Sequence, residues 1–449
     1  MVKIRVHQIE HGGKIVLFFC DSLSIQTVTR EDAACIGQIL NGLSEQEAQT
    51  MGEVFLRRYQ KNAALLAAQK SCPPPAEEEA DTFSTLILHV SNDCNMKCAY
   101  CFANHGTYAS APAMMSPETA RTALERYIAR YRRIREIKFF GGEPLMNLPA
   151  IEAACAYVSR QYEAGRLVRL PRFKVITNGT ILTEEIIRTA VQYNIQVVFS
   201  LDGPPTVHDA LRYFPEKQPS CQRILQNFRR WKKSTNGAQP CSIETTYTQA
   251  HIDAGWSITD VVRYFQTELG MQPGQVNVSL VNLPSSDPLH ISDVPACWSG
   301  YAADLINRCR QEGDFYGDLK LMGLIYRLKH KKTAPEELCS AGKTWSAVSA
   351  TGQVYPCLMF MDNPGFFMGN VQEDFFHQEA YRKIVAQFQN CHPKQHSPCS
   401  TCFANRVCNQ CAGINFFMTG NPAVTHPQQC AAMRRTIERL ICGIADGIL

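Results

Sequence analysis

The chain has 449 residues, 45% of them hydrophobic, and a formal net charge of +4. That length suffices for two or three domains around a sizeable core, and so thin a charge argues against an extended nucleic-acid surface. No apolar stretch approaches the length of a membrane span, and Met1-Val-Lys-Ile-Arg-Val-His lacks the apolar core of a signal peptide, so a cytoplasmic protein without a membrane partner is expected. Twenty cysteines in so large a chain, with no export signal, read as metal ligands rather than as a disulfide framework. More than half fall in a triplet near residue 100 or in a dense C-terminal set. Cys20, Cys155, Cys221 and Cys241 stand singly and read as small core residues.

Residues 1–70 read as a small α+β unit. The alternation in Lys3-Ile-Arg-Val and Lys14-Ile-Val-Leu-Phe-Phe predicts a hairpin around Gly12-Gly13. Helices should follow: Thr29-Arg-Glu-Asp32 offers a capping pattern, Gly42 a stop, and Ser44-Glu-Gln-Glu47 a capping box. Residues 71–82 combine prolines with like charges and form the expected linker. From 83 to 325 short β-branched runs alternate with amphipathic stretches. Leu86–Val90, Ile137–Phe140, Phe173–Thr177, Val197–Leu201, Ser242–Tyr247 and Val276–Leu280 are the strands, with helices such as Pro117–Arg133 and Glu184–Gln192 between them. Six strand-helix repeats imply an α/β fold of parallel strands with right-handed crossovers, an open partial (β/α)6 barrel whose chemistry collects at the C-terminal strand ends. Residues 326–449 lose the alternation and become rich in Cys, Gly, Pro and Asn, so a metal-stapled region with little regular core is expected there.

The chemistry-bearing motifs lie at those strand ends. Cys94, Cys98 and Cys101 form a C-x3-C-x2-C triplet directly after the first strand. Three thiolates on one loop can hold three irons of a cubane cluster and leave the fourth open, whereas closed tetrahedral zinc needs a further nearby ligand. The triplet, with Tyr100 before its last cysteine, resembles the cluster motif of the radical S-adenosylmethionine (SAM) enzymes. Phe140-Gly-Gly-Glu-Pro144 closes the second strand. Its paired glycines let backbone approach a ligand, and its carboxylate suits an ammonium group. By the same resemblance Gly141, Gly142 and Glu143 would hold the amino group of the SAM methionine. Thr177-Asn-Gly-Thr180 and Ser200-Leu-Asp-Gly-Pro204, continuing through His208-Asp209 to Arg212, also favour turns by themselves. They resemble segments of radical SAM peptide-modifying enzymes, which implies Ser200 at the ribose, Arg212 at the methionine carboxylate and Asn178 near the site. A planar guanidinium suits a carboxylate, although a surface ion pair would equally explain Arg212.

The C-terminal order, Cys339, Gly352-Gln-Val-Tyr-Pro-Cys357, Cys399-Ser-Thr-Cys402, Cys408-Asn-Gln-Cys411 and Cys430, resembles a SPASM domain with two auxiliary 4Fe–4S clusters. The spacing departs from that family at Cys411, which follows Cys408 after two residues where three are common. The resemblance implies Cys339, Cys357 and Cys411 on the first auxiliary cluster, completed by Cys391 or left open to a substrate thiolate. It implies Cys399, Cys402, Cys408 and Cys430 on the second. Two C-x2-C pairs also suit structural zinc.

Radical SAM enzymes with a SPASM domain act mainly on peptides and proteins. The resemblance therefore implies a peptide maturase forming sulfur-to-carbon thioether crosslinks in a Cys-rich precursor, of the sactipeptide, ranthipeptide or quinohemoprotein amine dehydrogenase type. A flavodoxin- or ferredoxin-type donor would supply electrons, and residues 1–70 would grip a leader segment at a sheet edge or serve as a regulatory or packing domain. Anaerobic sulfatase maturases, which make formylglycine, share the Ser-Leu-Asp-Gly-Pro and Val-Tyr-Pro-Cys segments. In them the residue after that cysteine is an aspartate expected to act as base, where this chain has Leu358, its nearest acid being Asp362. A zinc-stapled peptide-binding protein is the non-enzymatic alternative. Asn104–Met115, just beyond the triplet, is a candidate substrate loop.

Overall fold

The computed structural model describes residues 4–74, 81–108, 110–272, 274–313, 317–335, 339–391 and 393–449. Half of the expected linker, residues 75–80, lies outside these. Gly12 and Gly13, at φ 56° and 75°, turn β1 (Val6–His11) into β2 (Lys14–Phe19), which pairs antiparallel with β3 (Ser24–Val28). The helices Arg30–Leu40, Glu45–Thr50 and Glu53–Ala67 follow. The Thr29 side chain accepts from the Asp32 N–H at 3.1 Å, and Ser44 and Glu47 form the reciprocal capping box. Strand β2 is buried on both faces. Ile15, Leu17 and Phe19 pack against Ala33, Ile36 and Leu66 of the helices, while Val16 and Phe18 enter the main core.

That core surrounds a nine-stranded sheet in the order β12-β11-β10-β4-β5-β6-β7-β8-β9. Its six central strands are β4 (Thr82–Ser91), β5 (Arg133–Gly141), β6 (Arg172–Thr177), β7 (Gln196–Ser200), β8 (Cys241–Tyr247) and β9 (Val276–Leu280), all parallel, with helices in every crossover. This is the expected α/β partial barrel. Helix Pro117–Arg130 stops short of the expected Arg133 because that residue already starts β5. Burial on both faces explains runs such as Leu86-Ile-Leu88, none of which is exposed.

The region beyond 325 corrects one expectation: it has a regular core. Strand β10 (Trp345–Val348) pairs parallel with β4, and β11 (Gln353–Tyr355) and β12 (Gly369–Asn370) extend the same sheet antiparallel. Helices Glu379–Gln389, Ala412–Thr419 and Pro427–Ala445 follow, and Phe360, Phe366 and Phe388 form a buried aromatic group. Strands of two to four residues are too short to display a period, so the sequence pattern conceals them. Helix Leu319–Lys329 runs across the division placed at 325/326. Among the described residues no helix is long and apolar enough to cross a membrane.

Candidate functional site

The loop after β4 carries Cys94, Cys98 and Cys101, all half-buried. Hydrogen bonds of 2.8 Å from Lys97 N–H to the Tyr213 carbonyl and from Ala99 N–H to the Leu211 carbonyl tie it to the chain beyond β7. On its other side Gly142 N–H donates to Ser91 O and Glu143 N–H to Asp93 O, both at 2.8 Å. Glycine is required for this approach. A Cβ at Gly141 would stand 2.3 Å from Ser91 O, and one at Gly142 2.2 Å from Asp93 O. Gly106, at φ 98°, closes the cradle, where a Cβ would lie 2.8 Å from that of Cys94.

Burial, with Glu143 and the neighbouring thiols adding to it, pushes the Cys94 thiol up to about 12, and burial raises Cys98 as well. Among the described residues no three His, Cys, Asp or Glu side chains converge as one ion would require. A zinc ion would draw its sulfurs to about 2.3 Å, whereas a cubane spreads its thiolates over separate irons.

Glu143 is fully buried, which raises its pKa against the hydrogen bonds it accepts. Oε1 takes the Leu145 N–H at 2.9 Å and the Thr177 hydroxyl at 2.7 Å, and Oε2 takes the Asn178 N–H at 2.7 Å. A carboxylate offers about four acceptor sites, so one remains for an incoming ammonium group. Asn178 donates to Asn95 Oδ1 at 2.8 Å and reaches Cys94 Sγ at 3.8 Å. The ends of β4, β5 and β6 thus meet at one point.

Arg212 is 8% exposed, so the surface ion pair is not what holds it. Its Nη1 donates to the Tyr100 hydroxyl at 2.8 Å, and that hydroxyl donates to Asp202 Oδ2 at 2.5 Å. Burial opposes the guanidinium charge, but Tyr100, Cys98 and Asp202 hold it protonated. Its Nε is buried without a partner, an unspent donor suited to a carboxylate. Asp202 is itself locked: Oδ1 accepts the Thr246 N–H at 3.0 Å, its N–H donates to His208 Nδ1 at 3.2 Å, and its carbonyl meets His251 Nε2 at 2.6 Å. His208 is therefore scaffold, and Asp209 accepts the Ser220 and Cys221 N–H groups at the start of helix Cys221–Ser234. Ser200 ends β7, half-buried, opposite Glu244.

Sequence reading passed over the Tyr100–Asp202 link. Asp202 lay inside a segment read for its turn chemistry, and a contact across about a hundred positions leaves no spacing signal.

In the C-terminal region Cys339, Cys357 and Cys411 lie within electrostatic reach of one another, with Cys391 also near Cys339. Cys399, Cys402, Cys408 and Cys430 line one cavity of about 1210 Å³, together with His7 and Phe403. Burial pushes Cys339 and Cys408 up to about 11. The unusual spacing of Cys411 does not separate it from Cys339 and Cys357. Leu358, directly after Cys357, packs into the barrel interior beside Tyr108, Phe140 and Tyr355. Asp362 accepts from the Ser110 hydroxyl at 2.5 Å and acts electrostatically on Tyr108 and Tyr355.

Residues 88–246 match the Radical SAM superfamily, and residues 339–403 match the SPASM iron-sulfur cluster-binding domain. These two domains indicate a 4Fe–4S cluster with SAM and further auxiliary clusters. Over 173 residues the chain is 29% identical to the radical SAM cyclopropyl synthase TigE of Paramaledivibacter caminithermalis, covering 35% of each protein. Over 348 residues it is 21% identical to the cysteine-type anaerobic sulfatase-maturating enzyme of Clostridium perfringens, covering 72% of this chain and 87% of that one. The chain spans less than half the length of the first three curated relatives it matches.

Among solved structures, native anSMEcpe with bound AdoMet superposes with a TM-score of 0.67 at 18% identity, over 82% of this chain and 100% of that one. Streptococcus suis SuiB bound to S-adenosylmethionine gives 0.52 at 14% identity, over 94% and 98%. Both likenesses describe the fold.

Proposed function

We propose that this chain, which carries a radical SAM domain and a SPASM domain, is a maturase that joins cysteine sulfur to carbon within a Cys-rich precursor peptide or protein. Cys94, Cys98 and Cys101 would hold the SAM cluster, with Glu143, Arg212 and the backbone of Gly141 and Gly142 on the methionine moiety and Ser200 and Asn178 beside it. When bound, the cluster and SAM supply hydrogen-atom abstraction from a peptide carbon, and the auxiliary clusters supply an electron acceptor. Cys339, Cys357 and Cys411 would hold the first auxiliary cluster, and Cys399, Cys402, Cys408 and Cys430 the second. A flavodoxin- or ferredoxin-type protein would deliver the electron that starts each turnover.

The chain's own residues set the outcome. The Tyr100–Asp202 link fixes the Arg212 guanidinium before any ligand arrives, so its orientation costs nothing at binding. Phe140, Tyr355 and Leu358 pack into one cluster whose apolar surface would limit water beside the reacting carbon. Strand β3, with Gln26 and Thr27 exposed, offers a sheet edge to a leader segment. Solved neighbours of this fold are described with a Cp18Cys peptide and with the precursor peptide SuiA, which supports a peptide in the barrel mouth.

One observation carries the choice of thioether formation: the position after Cys357 is an apolar side chain facing the barrel interior, so no carboxylate stands there to take a proton from a substrate carbonyl precursor. Formylglycine formation is the second reading, favoured by the breadth of the match to the Clostridium perfringens sulfatase-maturating enzyme.

The test is anaerobic reconstitution with iron and sulfide counting, then incubation with reductant, SAM and a Cys-rich peptide encoded beside this chain. About twelve irons, released 5'-deoxyadenosine and a peptide lighter by two hydrogens per crosslink, with the cysteine closed to alkylation, are expected. A product that reacts as an aldehyde instead establishes the second reading. Zinc without iron and no deoxyadenosine would overturn both.

A further inference from the structure

Besides Arg212 Nε, two neighbouring side chains of the barrel, His89 and Tyr108, hold polar atoms without a partner among the described residues. His89 lies on β4, opposite Phe140 of β5, and is 1% exposed. Its Nε2 is buried with no hydrogen-bond partner. A ring nitrogen donates to the residue's own carbonyl, which leaves Nε2 as a bare acceptor. Burial pushes the imidazole down to about 3, so it accepts a hydrogen bond without taking up the proton. The Tyr108 ring stands edge-on to it, centroids 4.7 Å apart and planes at 86°. The Tyr108 hydroxyl is likewise buried and unpartnered.

Orphaned buried groups cost stability, and two facing the same interior are unusual. The Tyr108 backbone adds to that cost, since its φ of 51° lies in the left-handed region that a bulky side chain avoids, and Asn104 and His105 share that conformation at 47° and 59°. The position explains what these groups are for. Cys101, Cys357 and Asp362 all act electrostatically on the Tyr108 hydroxyl, so it lies near both the first cysteine triplet and Cys357. Of the walls around it, Ile87, Phe140, Ala347 and Leu358 carry no polar side-chain atom, the Tyr355 hydroxyl is spent on Gln353, and the Asp362 carboxylate accepts from Ser110.

We propose that His89 and Tyr108 form a thiol-recognition site of the substrate chamber: His89 Nε2 accepts the S–H of a substrate cysteine, and the Tyr108 hydroxyl donates to its sulfur. This rests on the thioether-forming reading and adds which part of the peptide the barrel grips. The pair binds and positions the thiol next to the auxiliary set. An apolar side chain in its place leaves both groups unpaired, so the site selects against it.

The test uses the full-length, iron-reconstituted protein saturated with SAM, titrated calorimetrically under argon with acetyl-Gly-Cys-Gly-amide and with its Ser and Ala analogues. The wild type is expected to bind the Cys probe about tenfold more tightly than the Ala probe, with Ser between them. Tyr108→Phe and His89→Leu should each reduce that ratio below about threefold, through weaker binding of the Cys probe or tighter binding of the Ala probe. A merely structural role would weaken all three probes together. Equal binding of Cys and Ala probes by the wild type, a preference for Ser, or a ratio preserved in both variants overturns the inference. Crosslinked peptide formed by an enzyme with an unchanged ratio sinks this inference alone. A ratio lost in the variants, with no crosslinked product from the wild type, sinks the thioether reading alone.

Discussion

A single methyl group decides whether the first cysteine loop can close. Gly142→Ala would set a carbon 2.2 Å from the Asp93 carbonyl oxygen, and no flexible side chain is there to yield. The expected outcome is reconstituted protein that lacks about four of its roughly twelve irons, read by iron analysis, with the auxiliary content intact. Tyr100→Phe removes only the hydroxyl that bridges Arg212 and Asp202. SAM affinity measured by equilibrium dialysis should fall about tenfold, with iron content unchanged, because the guanidinium survives but loses its fixed orientation. At this scale the cysteine spacing, the Gly-Gly-Glu turn and the Asn-Gly turn were legible because each is local. The acceptors on Glu143 and the burial of Arg212 were not, since both depend on segments brought together only by the sheet.

At the scale of elements, helix Leu319–Lys329 shows how a cap can also be a liability. Asp318 is fully buried, and its side chain accepts the Leu321 N–H at 2.9 Å to start the helix. Burial nonetheless raises its pKa above the ordinary 3.8. The folded state therefore holds that proton more tightly than the unfolded chain, and stability from this group is present below 3.8 and lost as pH rises through the folded value. Asp318→Asn keeps a good N-cap and removes the charge. A gain of about 1 kcal/mol at pH 7, vanishing toward pH 3.8, is expected in denaturant titrations run across that range. The six parallel strands were legible as β-branched runs between amphipathic helices. Strands β10 to β12 were hidden because their pairing, not their pattern, makes them strands.

In the whole molecule, the N-terminal unit is built into the rest instead of hanging from a tether. His7 stacks on Phe403 with centroids 3.8 Å apart and meets Glu438 at 2.8 Å, Arg5 donates to the Ser400 carbonyl at 2.9 Å, and His11 meets Asp446 at 2.9 Å. Phe403 directly follows Cys402, so β1 covers the cavity that Cys399, Cys402, Cys408 and Cys430 line. Removing residues 1–70 should therefore cost about four irons and expose the faces that Val16 and Phe18 cover, seen as iron loss and aggregation in light scattering. Had those residues been an independent recognition module, iron content would be untouched. The sequence predicted this unit's hairpin and caps, but which surface it covers is a matter of tertiary packing and leaves no periodic trace.

The pairing of β10 with β4 has a kinetic meaning as well as an architectural one. The strand that leads into Cys94, Cys98 and Cys101 and the extension that leads toward Cys357 share one backbone ladder, with Trp345 to Val348 in register with Thr85 to Leu88. Electron tunnelling weakens exponentially with separation, so two redox groups borne on independently moving domains would pass an electron at a rate that fluctuates with every hinge motion. Here both cysteine-bearing segments grow out of one sheet, so a hinge between them would first have to break the β4–β10 pairing. The sheet would act as a ruler between the groups that these cysteines would hold.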